Sequence, residues 1–190
     1  MEIVIILGLI FLNGILSMSE IAMVSARKSR LETAAKKGSK TAKTALRLAN
    51  EPDRFLSTIQ IGITLIGILT GLYSGEALAG DLARWLETIG IPQAHSLTLA
   101  KGIIVILVTY LTLILGELVP KHLGMNAPEK IARLIARPME VLSKIASPFV
   151  WLLSASTQAV IRLTGLHAST ENKVTEEEIK AIIQEGTERS

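Results

Sequence analysis

The sequence contains no cysteine among its 190 residues and few aromatic residues, at 4%. Without cysteine it has no disulfide framework, no thiolate metal site and no cysteine nucleophile. The basic residues flank apolar runs without interleaved aromatics, so no nucleic-acid partner is expected. No H-E-x-x-H or G-x-S-x-G motif is present, and we therefore do not expect an enzyme.

What the sequence does contain is apolar residues, at 49%, grouped in long blocks. Residues 3–26, 55–75 and 97–119 are each long enough, as helices, to cross a bilayer. For the first block a cleaved signal peptide is the alternative, but Glu2 stands where a basic region would be expected. The sequence therefore predicts an all-α integral membrane protein with three transmembrane helices, accompanied by cytoplasmic juxtamembrane or interfacial helices.

Basic residues are concentrated between the first and second blocks. Nine lysines and arginines lie between Arg27 and Arg54, against three acidic residues. By the positive-inside rule this segment is cytoplasmic, which places the N-terminus outside and the C-terminus in the cytoplasm. Within it we predict two short helices over 28–50, interrupted at Gly38. The acidic connection 76–96 is then expected as a loop on the outer side.

The C-terminal third is predicted in three parts. The transmembrane domain extends to about residue 137, an interfacial juxtamembrane helix covers 138–168, and an acidic amphipathic helix covers 174–190. The uncharged stretch 145–161 is the ambiguous part, because it is nearly long enough to span. Pro148 and a polar face favour an interfacial position over a fourth span.

Each predicted span carries polar residues at helical spacing. The three stripes are Asn13, Ser17 and Glu20; Gln60, Thr64 and Gly67; and Tyr110 and Glu117. Because lipid cannot satisfy polar groups, we expect all three stripes to turn toward a common interior.

Pro120 follows Glu117 closely at the end of the third block. A proline has no N–H, so it leaves a carbonyl of the preceding turn without its helical partner. That carbonyl and the Glu117 carboxylate are hard oxygen ligands. The alternative is a glutamate at the membrane boundary that is hydrated or paired with Lys121.

No arginine or lysine lies deep in a span to pair with Glu20 or Glu117. A carboxylate at membrane depth costs a few kcal/mol unless it is paired, and a cation is the obvious substitute. Oxygen ligands without histidine or cysteine suit Mg²⁺ or Ca²⁺ better than zinc or copper. Ligand chemistry alone leaves Na⁺ and H⁺ open.

Four motifs, in order along nearly the whole chain, resemble the transmembrane domain of the CorC/CNNM family of magnesium transporters, whose bacterial members are also called hemolysin-like. They are Ser17-Met18-Ser19-Glu20-Ile21-Ala22, Phe55-Leu56-Ser57-Thr58-Ile59-Gln60-Ile61-Gly62, Gly116-Glu117-Leu118-Val119-Pro120-Lys121 and Val174-Thr175-Glu176-Glu177-Glu178-Ile179. The third is the most specific.

The resemblance implies a homodimer in the bacterial inner (plasma) membrane, followed in the full-length protein by a cytosolic CBS-pair domain. It further implies that a dehydrated Mg²⁺ is held between the helices and exported in exchange for Na⁺. The alternative function is a divalent-cation sensor or scaffold that signals to the CBS modules without transport.

Site residues follow from the same resemblance. Ser17 and Glu117 are the first ligand candidates, followed by Ser19, Glu20, Gln60 and the Gly116 carbonyl. Some relatives have Gly-Asn-Asn where this chain has Gly62-Ile63-Thr64, so Thr64 or Gln60 is expected to replace an asparagine ligand. Structural or gating roles are expected for Asn13, Gly62, Gly67, Pro120 and Lys121.

Overall fold

A computed structural model describes the backbone of residues 1–165 and 169–188, and the side chains of residues 1–165 and 177–186. All regular elements within these ranges are helical. They are α1 (Glu2–Ser25), α2 (Lys28–Lys36), α3 (Lys40–Asn50), α4 (Pro52–Tyr73), a π-helical turn (Ser74–Leu78), α5 (Ala79–Thr88), α6 (Gln93–Leu113), a second π-helical turn (Ile114–Leu118), α7 (Val119–Asn126), α8 (Pro128–Leu163) and α9 (Ser169–Glu188).

Three continuous helical stretches of the described chain are long and apolar enough to cross a membrane, namely Glu2–Ser25, Pro52–Thr88 and Gln93–Asn126. The predicted all-α membrane class with three spans is thereby confirmed. The second and third stretches run through the two π-helical turns. At 1.5 Å per residue, the 37 residues of Pro52–Thr88 extend about 55 Å, well beyond the roughly 30 Å of a hydrocarbon core.

The connection 76–96 was expected as a loop, and this prediction was wrong. The helix continues through α5, and a turn at Gly90, whose φ is +104°, leads directly into α6. Ala83 and Leu86 on α5 pack against Ala100 on α6. The amphipathic pattern of α5 is therefore satisfied by a helical hairpin.

The basic segment forms the two short helices that were predicted. Gly38, at a φ of +98°, separates α2 from α3, and the Ser39 hydroxyl caps α3 by accepting the Ala42 N–H at 3.2 Å. Leu31 and Ala45 enter one core with residues of α1, α4 and α8. These helices are thus packed parts of the domain.

Glu129, at the start of α8, anchors that helix to the basic segment. Its carboxylate accepts the Arg27 backbone N–H at 3.3 Å and lies 3.8 Å from the Arg30 guanidinium. Desolvation raises the pKa of Glu129, but hydrogen bonds from the Glu129 and Arg27 backbone and the charges of Arg30 and Arg27 outweigh it. The pKa therefore lies below its ordinary value.

The ambiguous stretch 145–161 belongs to the 36-residue helix α8, which continues through Pro148. It is not among the three stretches long and apolar enough to span, and its interfacial position stays a prediction. The chain divides into two compact units, Met1–Ser147 and Pro148–Ser190. The acidic helix begins at Ser169, earlier than the predicted residue 174, and of its predicted range residues 189–190 lie outside the described residues.

Candidate cation site between α1 and the Pro120 segment

Helix α1 is the central element of the site, because it contacts both α4 and the stretch Ile114–Asn126. On the second of these faces the backbones approach closely. A Cβ atom added to Gly14 would lie 3.0 Å from the Leu115 carbonyl oxygen, and one added to Gly124 would lie 2.8 Å from the Met18 carbonyl oxygen. Small residues therefore allow the close contact, as in other membrane helix pairs.

Gly116, Pro120 and Gly124 follow one another at intervals of four residues, which places them on one face of the helix. We call these three residues the small-residue seam. Residues of α1 meet the seam in ascending order: Asn13 at Gly116, Gly14 at Pro120, and Met18 to Ala22 at Gly124. The two helices therefore run in the same direction, as expected if the first and third spans cross the membrane with the same polarity.

The Gly116 carbonyl has an unusual partner. Pro120, four residues ahead, has no N–H to donate to it, and the helix widens here into a π-helical turn in which the Val119 N–H bonds the Ile114 carbonyl. Asn13 supplies the missing donor, with its Nδ2 3.1 Å from the Gly116 oxygen in a buried contact. The carbonyl proposed as a ligand thus lies at the helix interface and is held there by α1.

Ser17 lies one turn along α1 from Asn13 and is only 2% exposed. Within the described part of the chain its hydroxyl makes no hydrogen bond, so its oxygen is available as a ligand. Glu117 directly follows Gly116 in the π-helical turn and is half-buried. The Asn13–Gly116 contact lies one helical turn from Ser17 on α1 and one residue from Glu117 in the π-helical turn.

Among the described residues, neither the Glu20 nor the Glu117 carboxylate has a charged partner. No lysine, arginine or histidine of the described residues lies within 4.0 Å of either carboxylate. Glu20 is half-buried, and Lys121 is exposed. The alternative in which Lys121 pairs with Glu117 is not what this structure contains. The two negative charges are left for a cation or for water.

Ser19 is fully buried, but its hydroxyl donates to the Ile15 carbonyl at 2.6 Å, four residues back. This is the usual bond of a serine within a helix. Its oxygen keeps lone pairs, while its proton is already committed to α1.

The α4 stripe differs from the expectation of a common interior. Gln60 and Thr64 are exposed in the single chain and bond each other, Nε2 to Oγ1, at 3.4 Å. Gly67 is likewise exposed, with open space where a Cβ would be. The face of α4 that meets α1 instead carries Gly62, against the Leu16 side chain. Tyr110, on the third span, is also exposed, at 61%.

The donor set at the interface consists of oxygens. No group of three or more histidine, cysteine, aspartate or glutamate side chains that could hold a metal occurs within the described ranges. A site here would be completed by hydroxyl, amide and carbonyl oxygens beside two carboxylates, which suits a hard cation. Sequence reasoning missed Gly14 and Gly124, although Gly124 was signalled by its spacing from Gly116 and Pro120.

The three helical stretches that are long and apolar enough to cross a membrane define a polytopic membrane protein. Residues 4–190 match the family model described as the cyclin M transmembrane N-terminal domain. The chain belongs to this CNNM family.

Several relatives resemble the chain over nearly its full length. It is 46% identical over 188 residues to the UPF0053 protein sll0260 of Synechocystis, covering 99% of this chain and 42% of the relative. It is 31% identical over 179 residues to the UPF0053 protein YhdT of Bacillus subtilis, covering 93% and 39%. It is 29% identical over 185 residues to the polyamine export protein of Escherichia coli K12, covering 97% and 41%. The chain thus spans about two fifths of the length of these relatives.

Proposed function

We propose that this chain is the membrane domain of a Mg²⁺ transporter that binds its cargo between α1 and the stretch Ile114–Asn126. The observation that supports the proposal is the Gly116 carbonyl, which Pro120 deprives of its helical donor and to which the Asn13 amide of α1 donates instead. Transporters often place discontinuous helices at a buried site, because freed backbone groups can bind an ion. Here the helix stays continuous, and the freed group is a single carbonyl in a π-helical turn.

The chain's own residues have distinct parts in this mechanism. Glu117 and Glu20 supply negative charge that offsets the cost of dehydrating the ion, and Ser17 and the Gly116 carbonyl supply neutral oxygens. The Asn13 amide orients the carbonyl. Release toward either side of the membrane then requires α1 and the π-helical turn to separate, which would expose Glu117. We include in this proposal that Mg²⁺ export is coupled to the entry of Na⁺.

The test is Mg²⁺ flux into proteoliposomes, followed with an entrapped Mg²⁺-sensitive dye. Glu117→Gln should reduce the flux at least tenfold while the protein still inserts and folds, because one of two charges that offset ion dehydration is lost. Glu76→Gln is the matched control, since Glu76 lies exposed in the other π-helical turn. Unchanged flux in Glu117→Gln would contradict the proposal.

The same experiment separates transport from sensing. A sensor or scaffold would bind Mg²⁺ at this site, with Mg²⁺-dependent thermal stabilisation that Glu117→Gln removes, but would give no flux. A second cargo is suggested by the relative named as a polyamine export protein. The ammonium groups of a polyamine could pair with the same two carboxylates, Glu20 and Glu117. Flux of a labelled polyamine that Mg²⁺ does not inhibit would favour that cargo.

The proposed arrangement places the basic segment and the C-terminus in the cytoplasm, in the inner membrane of a bacterium, with a CBS-pair domain following. We further propose that the protein acts as a homodimer. The exposed α4 face with Gln60, Thr64 and Gly67 is open to a second copy, and Gln60 and Thr64 would act there rather than at the α1 interface.

A further inference from the structure

A second site is suggested by a cavity of about 330 Å³ between α3, the start of α4 and α8, which no residue of the candidate cation site lines. The residues that give it its chemistry are Arg47, Glu51, Arg54, Glu140, Ser143 and Lys144. Its volume lies within the range of about 300–1,000 Å³ typical of small-molecule pockets. All of these residues belong to the unit Met1–Ser147.

Two polar atoms of the residues that line this cavity are buried and have no hydrogen-bond partner in the part of the chain that the structure describes. They are the Ser143 Oγ and the Arg54 Nε, and Ser143 as a whole is 3% exposed. The remainder of the Arg54 guanidinium makes only long contacts: Nη2 lies 3.5 Å from the Ser143 carbonyl oxygen, and Nη1 lies 4.0 Å from the Glu51 carboxylate. Native proteins rarely leave buried polar atoms unsatisfied, so these two atoms call for a partner such as a water, an ion or a ligand.

The charges around the cavity favour an anion. Three cationic side chains (Arg47, Arg54 and Lys144) and two carboxylates (Glu51 and Glu140) line it, which leaves one positive charge in excess. Glu140 is already paired with Arg47 at 3.2 Å and with Lys144 at 3.6 Å. The unpaired Arg54 Nε–H is a donor only, so it cannot bind a cation. A guanidinium edge beside a hydroxyl matches the oxygens of a phosphate group.

The position of the cavity fits a phosphate at the membrane surface. Phe55, where the predicted second span begins, is one of its lining residues. A neighbouring cavity of about 470 Å³ is also lined by Arg47 and Glu140, and in addition by the basic residues Lys40, Lys43 and Arg137. We propose that the cavity binds one phosphate group through Arg54 and Ser143, supplied either by an anionic phospholipid headgroup or by soluble phosphate.

The test compares the thermal stability of the purified protein in two settings. In detergent, inorganic phosphate is titrated at constant ionic strength against chloride; in nanodiscs, phosphatidylglycerol is compared with phosphatidylcholine. Ser143→Ala should weaken binding about 5–10-fold, the value of one hydrogen bond, and Arg54→Lys about tenfold or more, because the guanidinium edge is lost. Arg30→Lys, in the same basic segment but outside the cavity, is the control.

Two outcomes support the proposal and identify the source. Saturable stabilisation by phosphate in detergent, weakened in both cavity variants but not in Arg30→Lys, indicates a soluble phosphate. The same pattern with phosphatidylglycerol alone indicates the lipid. Ser143→Ala removes an unsatisfied atom, so its stability without ligand should not fall. Stabilisation that is absent, or that neither cavity variant weakens, would overturn the proposal. Such a result would leave the proposed Mg²⁺ transport standing, because that is tested separately by flux.

Discussion

Gly124→Ala tests the packing of α1 more directly than any other single change. The added Cβ would contact the Ile21 side chain and lie 2.8 Å from the Met18 carbonyl oxygen and 3.4 Å from the Ala22 nitrogen. Two of these three neighbours are backbone atoms of α1, which cannot turn aside as a side chain can. The helices would have to separate, so we expect a loss within the range of about 1–3 kcal/mol typical of overpacking.

Three other glycines extend this prediction into a graded series. Gly14→Ala would place a Cβ 3.0 Å from both the Leu115 carbonyl oxygen and Pro120 Cγ, and should cost less than Gly124→Ala. Gly62→Ala meets only the end of the Leu16 side chain, which can move, and should cost little. Gly8→Ala meets nothing within 4 Å, and should be neutral or stabilise by up to about 1 kcal/mol through helix propensity.

The measurement is the free energy of unfolding in mixed micelles, titrated with a denaturing detergent and followed by tryptophan fluorescence. Gly124→Ala should unfold at the lowest detergent fraction, followed by Gly14→Ala, with the other two variants close to the unmodified protein. Equal stability of Gly124→Ala and Gly8→Ala would refute the close approach of α1 to the small-residue seam.

Two further predictions concern single contacts. Asn13→Ala should destabilise the protein by about 0.5–1.5 kcal/mol through loss of its hydrogen bond to the Gly116 carbonyl. The loss should be smaller in a Pro120→Ala background, because residue 120 then regains an N–H for that carbonyl. A double-mutant cycle with no coupling would argue against this contact. Because the pKa of Glu129 is lowered in the folded protein, its contribution should be complete above its ordinary pKa of 4.5 and lost as the pH falls below that value. Glu129→Gln should therefore be less stable than the unmodified protein at pH 7, and the difference should shrink as the pH falls from 5 to 3 in thermal melts; a constant difference would count against the lowered pKa.

The spans and the basic helices were predictable because each depends on a local signal. Long apolar runs indicate membrane helices by length alone, and Gly38 marks the break between α2 and α3 through its positive φ. Helix α5 was missed because its amphipathic pattern indicates a packed helix only when a partner is known, and that partner is Ala100 on α6. The helix predicted over 138–168 does continue through Pro148, but it begins ten residues earlier than predicted, at Pro128.

The site was predictable in part for a similar reason. Pro120 and the helical periodicity indicate a freed carbonyl and a polar stripe on α1, but nothing local indicates that Asn13 reaches Gly116, 103 residues away. The stripe with Gln60 and Thr64 shows the limit of such reasoning. Periodicity identifies residues that share a helix face, whereas the direction of that face depends on packing against other helices.

The Asn13–Gly116 contact also has a consequence for biogenesis. Asn13 emerges from the ribosome 103 residues before its partner, which at roughly 5–20 residues per second is a delay on the order of 5–20 s. During that interval α1 must reside at the translocon or in lipid with its polar groups unshielded. The first helix therefore depends on the last-inserted one for its final position, and slow or interrupted synthesis before Gly116 would leave it open to quality-control proteases.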